Sequence, residues 1–367
     1  MHISALLQAG VEVVALCDPD ARKAGQMAAR VPGARMYTDA DLLLEEQRPD
    51  AVHVLTPPAS HAALAVRAAE AGSHVLVEKP MALSLADADR MVEAARRHGV
   101  MLAPIHNYLS KPSIRRARNL VASGRVGEVV HVESFYGLSD EAGSYAGAGG
   151  AHWAHLLPGG VFTNFLPHLI YLQQQFMGDI ESVAGVVTGR GPDPAEPATE
   201  LSALVHGATV TGTMTVSTRT APYAKFVRVY GTRGIVHADL VGEVTTFQRS
   251  RRVPRLLSKA LLNLELVSQL VAGTAANSAK VATGTMRNMP DLHAFMAELY
   301  RSLEDGSPPP AGGADGREVV RILEQIWERL PAEPEPDPPS PERSGSAPQT
   351  AAERRSVEAG ASRAGFS

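Results

Sequence analysis

The strongest constraint on this chain is the rhythm of its first hundred residues. Short apolar runs at residues 11–17, 51–56, 74–77 and 100–105 are separated by alanine-rich stretches at 21–30, 60–71 and 84–98. The runs are rich in valine and leucine and do not alternate strictly, as expected of strands covered on both faces. The stretches between them have helical character. Ser84 followed by Asp87 gives a partial capping signal at one helix start. Gly72 and Gly99 stand where helices should stop. Repeated β-α alternation predicts a parallel, doubly wound α/β sheet.

From about residue 125 the rhythm changes. Segments 129–136, 182–188, 201–206, 209–217, 226–230 and 234–239 read as strands joined by glycine turns, among them His206-Gly207-Ala208 and Gly231-Thr232-Arg233-Gly234. Strands that follow one another without helices imply a mostly antiparallel sheet. Helical pattern returns at 292–303 and 317–330. The expected organisation is therefore a first domain over 1–108, an α+β domain over 109–331, and a tail over 332–367 whose Pro, Glu, Ser, Ala and Arg predict disorder.

Residues 251–283 stand apart. Leu257, Leu261, Leu264, Val267 and Val271 recur at three- and four-residue spacing, which predicts an amphipathic helical insert. Its front end is basic: Arg249, Arg251, Arg252, Arg255 and Lys259. Cations there oppose the helix dipole. Two readings stand: a surface or packing helix, including one against a sister subunit, or a weak contact with an anionic surface or phosphorylated ligand.

Composition narrows the functional classes. With 44% hydrophobic residues in 367, the chain can build large cores. A formal net charge of −4 gives no global basic surplus, so nucleic acid is not an expected partner. The lone cysteine, Cys17, lies in an apolar run, and a buried thiol there fits a reducing, cytoplasmic setting. No run of 18 apolar residues reads as a membrane span, and no signal peptide is visible.

Three loops after the predicted strands carry chemistry. Asp18 directly follows the first run; an acid there accepts from adenine-ribose hydroxyls and disfavours a 2′-phosphate, while the plainer reading is a helix N-cap. Thr56, Pro57 and His61 follow the second run, where a ligand crevice forms, and Ser60 there reads as a helix cap. Glu78 and Lys79 end the third run before Pro80. Such charges are rarely buried without partners, and a lysine of lowered pKa can bind a substrate hydroxyl and move its proton. The alternative is a surface ion pair.

The segment from His61 to Pro80, with Gly72-Ser73-His74-Val75-Leu76-Val77-Glu78-Lys79-Pro80, resembles the Gfo/Idh/MocA oxidoreductases, and the similarity runs over roughly residues 2–330. The resemblance implies an N-terminal Rossmann domain with NAD as cofactor, and a C-terminal open sheet through which homodimers or homotetramers form. It implies that Lys79 binds the substrate hydroxyl and the nicotinamide ribose, with Glu78 beside it. It also points to the segment Gly159–His168, where His168 is the expected general acid/base. Asn164 stands where an aspartate is expected, and Tyr171 where a second acid is expected. Asparagine can hold a hydroxyl but carries no charge. Asn107, His152, Trp153 and Tyr171, together with Asn164 and His168, are the candidate substrate contacts, with His155 nearby. A metal site built on these histidines is not expected, since no carboxylate or cysteine joins them at ligand spacing.

One element of the resemblance is absent. No G-x-G-x-x-G precedes Asp18, and residues 2–7 already read as the helix that follows such a loop. The expectation is a Rossmann sheet without its first, central strand, with roughly 10–20 residues lying upstream. The activity expected is NAD-dependent hydride transfer at a hydroxyl-bearing carbon of a sugar, sugar derivative or cyclitol. The alternative is a degenerate member serving as a binding or assembly subunit.

Overall fold

The computed structural model describes residues 1–138, 157–189, 198–251, 253–283 and 289–330. Residues 1–331 form one compact unit. The expected tail at 332–367, and the candidates His152, Trp153 and His155, lie outside the described residues.

The first part alternates strand and helix. Its strands are β1 (Ala15–Cys17), β2 (Arg35–Tyr37), β3 (Ala51–Val54), β4 (His74–Val77) and β5 (Leu102–Pro104). Its helices are α1 (His2–Gln8), α2 (Ala21–Ala28), α3 (Ala40–Gln47), α4 (His61–Glu70) and α5 (Leu85–His98). Ser84 does cap α5, accepting from the Asp87 amide at 3.1 Å, and Gly99 ends it in the left-handed region at φ 66°. Alanine lines the buried sides of α4 and α5, at Ala62, Ala65, Ala69, Ala88 and Ala95, which lets them pack closely on the strands.

All five strands pair in parallel, but in two sheets: β1 with β2, and β3-β4-β5. β4 is the fully buried centre, with Val75, Leu76 and Val77 each 0% exposed. β1 and β3 are each paired on one side only and are mostly half-buried. The run at 11–17 accordingly forms ladder bonds only at its end, in Ala15–Cys17. Cys17 is exposed rather than buried, a correction that follows from its place at the end of a half-covered strand. Partial burial and the neighbouring carboxylates of Asp39 and Asp18 raise its pKa.

The second part opens with α6 (Pro112–Ala122) and β6 (Val129–Gly137), then α7 (Phe162–Met177). β7 (Ser182–Gly189), β8 (Glu200–His206), β9 (Thr211–Ser217), β10 (Ala224–Gly231), β11 (Gly234–Asp239) and β12 (Thr245–Arg249) follow. They form one seven-stranded sheet in the order β12-β11-β10-β6-β9-β8-β7. Every pairing is antiparallel except β6 with β9. Alternation is clear: along β8, Leu201, Ala203 and Val205 are buried while Glu200, Leu204 and His206 are exposed. The buried face is covered by α7, whose Gln173 donates to the Thr213 carbonyl at 2.6 Å and the Ser134 hydroxyl at 3.0 Å. Gly212 makes room for it, since a Cβ there would lie 2.4 Å from Gln173 Oε1.

The predicted helix at 251–283 is α8 (Arg255–Ala282); α9 (Pro290–Asp305) and α10 (Gly313–Trp327) close the fold. No helix among the described residues is long and apolar enough to cross a membrane.

Candidate active site

The carboxyl ends of β3, β4 and β5 lie side by side because these strands are parallel neighbours in register. Three loops therefore converge: Thr56–His61 after β3, Glu78–Pro80 after β4, and His106–Lys111 after β5. His61 ties the first two together. It is fully buried, with Nδ1 3.0 Å from the Pro80 carbonyl oxygen and Nε2 2.8 Å from that of Thr56. Burial holds its pKa below the ordinary histidine value, against the pull of the Thr56 and Pro80 carbonyls, and a neutral ring donates to one of the two at a time. Ser60 does not cap α4; its hydroxyl turns back to Thr56 Oγ1 at 2.7 Å and to the Pro57 carbonyl at 2.9 Å.

Glu78 is pinned at the end of β4. One oxygen accepts from the Lys79 amide at 3.0 Å, and the other lies 3.1 Å from His2 Nε2. Burial alone would raise its pKa, but the His2 hydrogen bond and the Lys79 charge together hold the carboxyl below the usual range. Lys79 turns the other way and reaches the second half of the fold. Its Nζ donates to Asn164 Oδ1 at 2.6 Å and to the Asn164 carbonyl at 2.8 Å. Burial lowers the Lys79 pKa, and Glu78 opposes that only in part.

Asn164 and His168 lie one turn apart on α7, so they share a face. His168 Nδ1 is 2.6 Å from the Tyr171 hydroxyl, which also accepts from the Tyr108 amide at 3.3 Å. The His168 ring stacks on Tyr108 at 4.2 Å between centroids, and His106 stacks on Tyr171 at the same distance. Burial, followed by the nearby charges of Lys79 and Lys225, drives the His168 pKa well below its ordinary value. Burial pushes His106 down to about 3 and Tyr171 well above the ordinary tyrosine range. The site thus holds neutral histidines beside lysine ammonium groups.

Asn107 is buried and donates to Asp291 on α9 at 2.5 Å. Asp18 sits at the end of β1, accepting from the Asp20 amide at 2.9 Å; the cap of α2 is Asp20 itself, not Asp18. The fold thus brings Lys79, Asn164, His168 and Tyr171 together, with Asn107, Glu78 and His61 around them. It leaves Asp18 on the separate β1-β2 sheet.

Sequence reasoning passed over five residues of this cluster: His106, Tyr108, Lys111, Tyr136 and Lys225. Lys225 Nζ lies 3.9 Å from the Tyr136 ring centroid and 3.4 Å from the Tyr108 hydroxyl. Lys111 pairs with Glu243 at 2.5 Å. His106 had a signal, since it follows a parallel strand as Lys79 does; the others meet the site only through tertiary packing. A separate cavity of about 540 Å³ touches His106 and Tyr171 from behind, between the end of α7 and α10, and is not lined by Lys79, Asn164 or His168. Among the described residues no group of acids, histidines and cysteine is arranged to hold a metal ion.

A parallel α/β part whose half-buried Lys79 reaches a helix lying on a large, mostly antiparallel sheet defines an α/β architecture of the oxidoreductase type. The comparisons agree. The family described as "Oxidoreductase family, NAD-binding Rossmann fold" matches residues 1–106, and the GFO/IDH/MocA C-terminal domain matches residues 114–237. The chain belongs to the Gfo/Idh/MocA family. It is 38% identical over 129 residues to 1-carboxy-3-chloro-3,4-dihydroxycyclo hexa-1,5-diene dehydrogenase of Comamonas testosteroni, a match covering 35% of this chain and 32% of that protein. It is 36% identical over 118 residues to D-apiose dehydrogenase of Paraburkholderia graminis, covering 32% of each. These matches span only about a third of the relatives' own length. The WlbA dehydrogenase from Bordetella pertussis, solved with NADH and UDP-GlcNAcA, shares the fold at a TM-score of 0.72 and 21% identity, over 89% of this chain and 91% of that one.

Proposed function

We propose that the chain transfers a hydride between NAD and a hydroxyl-bearing carbon of a sugar, sugar derivative or cyclitol. The observation that carries this reading is the Lys79 ammonium group, lowered in pKa by burial and aimed at Asn164 one turn from His168. A substrate hydroxyl that takes the place of Asn164 Oδ1 on Lys79 would have its proton beside a group that can accept it once deprotonated, a state that the lowered pKa brings closer. His168 stands next to it, neutral and fixed by Tyr108 and Tyr171, as the second proton acceptor. NAD, when bound, supplies the hydride acceptor at the nicotinamide.

The residues fit such a cofactor at its two ends. Asp18 offers a ribose-binding carboxylate that favours NAD over NADP. Thr56, Pro57, Glu78 and Lys79 line the crevice at the strand ends, with His61 holding its loops in place. Curated relatives described as dehydrogenases of a dihydroxylated carbocycle and of apiose support the substrate class. The reading includes a cytoplasmic setting, and a second copy of the chain at the exposed sheet face, where Val130, Val187 and Leu204 lie open.

A second reading has its own support. Asn164, which carries no charge, stands against Lys79 where the family resemblance leads one to expect an acid. A binding or assembly subunit without cofactor would look like this. Calorimetric titration with NAD and NADP, followed by a nicotinamide-absorbance screen over sugars, sugar acids and inositols, separates the two. Saturable NAD binding with turnover on a polyol is expected; no heat with either nucleotide removes the oxidoreductase reading.

A further inference from the structure

α8 is inverted relative to an ordinary surface helix. Its inward side carries Leu262 and Leu266 but is fixed by polar and small residues. Gln269 clamps both backbone groups of Phe247, at 2.8 and 3.0 Å, and Asn277 donates to the Gly242 carbonyl at 2.9 Å. Gly273 rests on Val244, where a Cβ would come within 2.8 Å. The outward side is aliphatic. Leu257, Leu264, Val267, Val271 and Val281 are between 51% and 66% exposed. A solvated helix carries charge there, yet among the described side chains the exposed charges are only Lys259 and Lys280, near its two ends.

The spacing of that face identifies its occupant. Positions 257, 264, 271 and 278 repeat every seven residues, as do 260, 267, 274 and 281. Together they form an a/d stripe of period 3.5, which stays in line only against another helix of the same period. We propose that α8 pairs antiparallel with α8 of a second copy of this chain, about a two-fold axis at Gln269. In this register Leu257 faces the partner's Val281, Ala260 the partner's Ser278, Leu264 the partner's Thr274, and Val267 the partner's Val271. Each large side chain meets one of equal or smaller size, as knobs-into-holes packing requires. Flanking positions 261, 263, 268, 270, 275 and 277 bear no charge, so nothing opposes self-pairing. Antiparallel order is favoured over parallel because it keeps the two basic front ends apart and sets each beside the partner's negative helix pole. The small residues of the stripe allow close helix approach and gain little from a lipid surface, which favours a second chain as the occupant. A seam about 36 Å long and about 10 Å wide is smaller than a standard interface. The pairing is therefore concentration-dependent, with a Kd in the micromolar range.

Sedimentation velocity of the full chain from about 1 to about 200 μM tests this. The wild type should gain mass by a factor of two across the series, and V267E or V271K alone should weaken that step at least about tenfold. Both sites are exposed, so melting temperatures should match the wild type. Mixing V267E chains with V271K chains should restore association, because only this register sets the introduced charges opposite each other. Wild type and V267E of equal mass at every concentration would overturn the proposal. So would a mixture that fails to associate, or a monomer that floats with anionic vesicles and loses flotation on V267E.

Discussion

The two sheets of this protein obey different rules. The C-terminal sheet is one unit of seven strands, and most neighbours in it are joined by hairpins. Its strands are five to nine residues long, and β8, β10 and β11 alternate clearly between a covered and an open face. The N-terminal strands are three or four residues long and fall into two separate parallel groups. Hairpins let an antiparallel sheet complete itself from local sequence, while a parallel sheet depends on strands brought from a distance. Lys79 stands on the less self-sufficient half and, through Asn164, touches the more self-sufficient one. Stability and activity should therefore respond to different perturbations.

Acid should separate the halves most strongly. Burial lowers the pKa of His53 and His106 to about 3, and also lowers those of His61 and His168. These residues are neutral in the fold but take up protons when unfolded below pH 6.5. Their contribution is present above that pH and is lost as pH falls toward about 3. At pH 4.5, His53 and His106 should each cost about 3 kcal/mol. Hydrogen exchange should show β1–β5 opening first, because His53, His61 and His106 belong to that half, against His168 on α7 and His237 on β11 in the other. Uniform opening of both sheets would erase the distinction.

Leu166→Ala attacks the other half. Leu166 is fully buried between α7 and the sheet, and a cavity there should cost about 3 kcal/mol in urea unfolding. Lys79→Ala should leave that stability nearly intact but lower turnover at least about 10²-fold, the scale of positioned proton transfer. Turnover close to wild type would take Lys79 out of the mechanism. N164D has the smallest expected effect. An added carboxylate beside Nζ favours the ammonium form, so the pH at which alcohol oxidation rises should move up by about one unit. A profile moved down, or not at all, would mean that Lys79 does not set it.

Much of this organisation was legible in the sequence, unevenly. β4 matches its apolar run residue for residue because it is buried on both faces. β2 gave no signal, since Arg35 and Met36 of its three residues are exposed, and β12 was hidden by Thr245 and Thr246. Lys79 could be singled out because its motif falls at a strand end, whereas Asn164 and His168, inside a helix, were reached only through the family resemblance. Lys225 could not, for nothing local to β10 reveals that three tyrosine rings, Tyr108, Tyr136 and Tyr223, surround it. The apolar period of α8 was plain, but a period does not say which way a face points. That depended on Gln269 and Asn277.

Gly159 lies against the flat of Trp327, and a Cβ there would sit 2.3 Å from the indole. The glycine belongs to the turn that leads into α7, while the indole ends α10. The protein therefore carries an optical gauge: once Trp153, its other tryptophan, is replaced by phenylalanine, the emission of Trp327 reads whether the helix bearing Asn164 and His168 is seated, without a label and without a substrate.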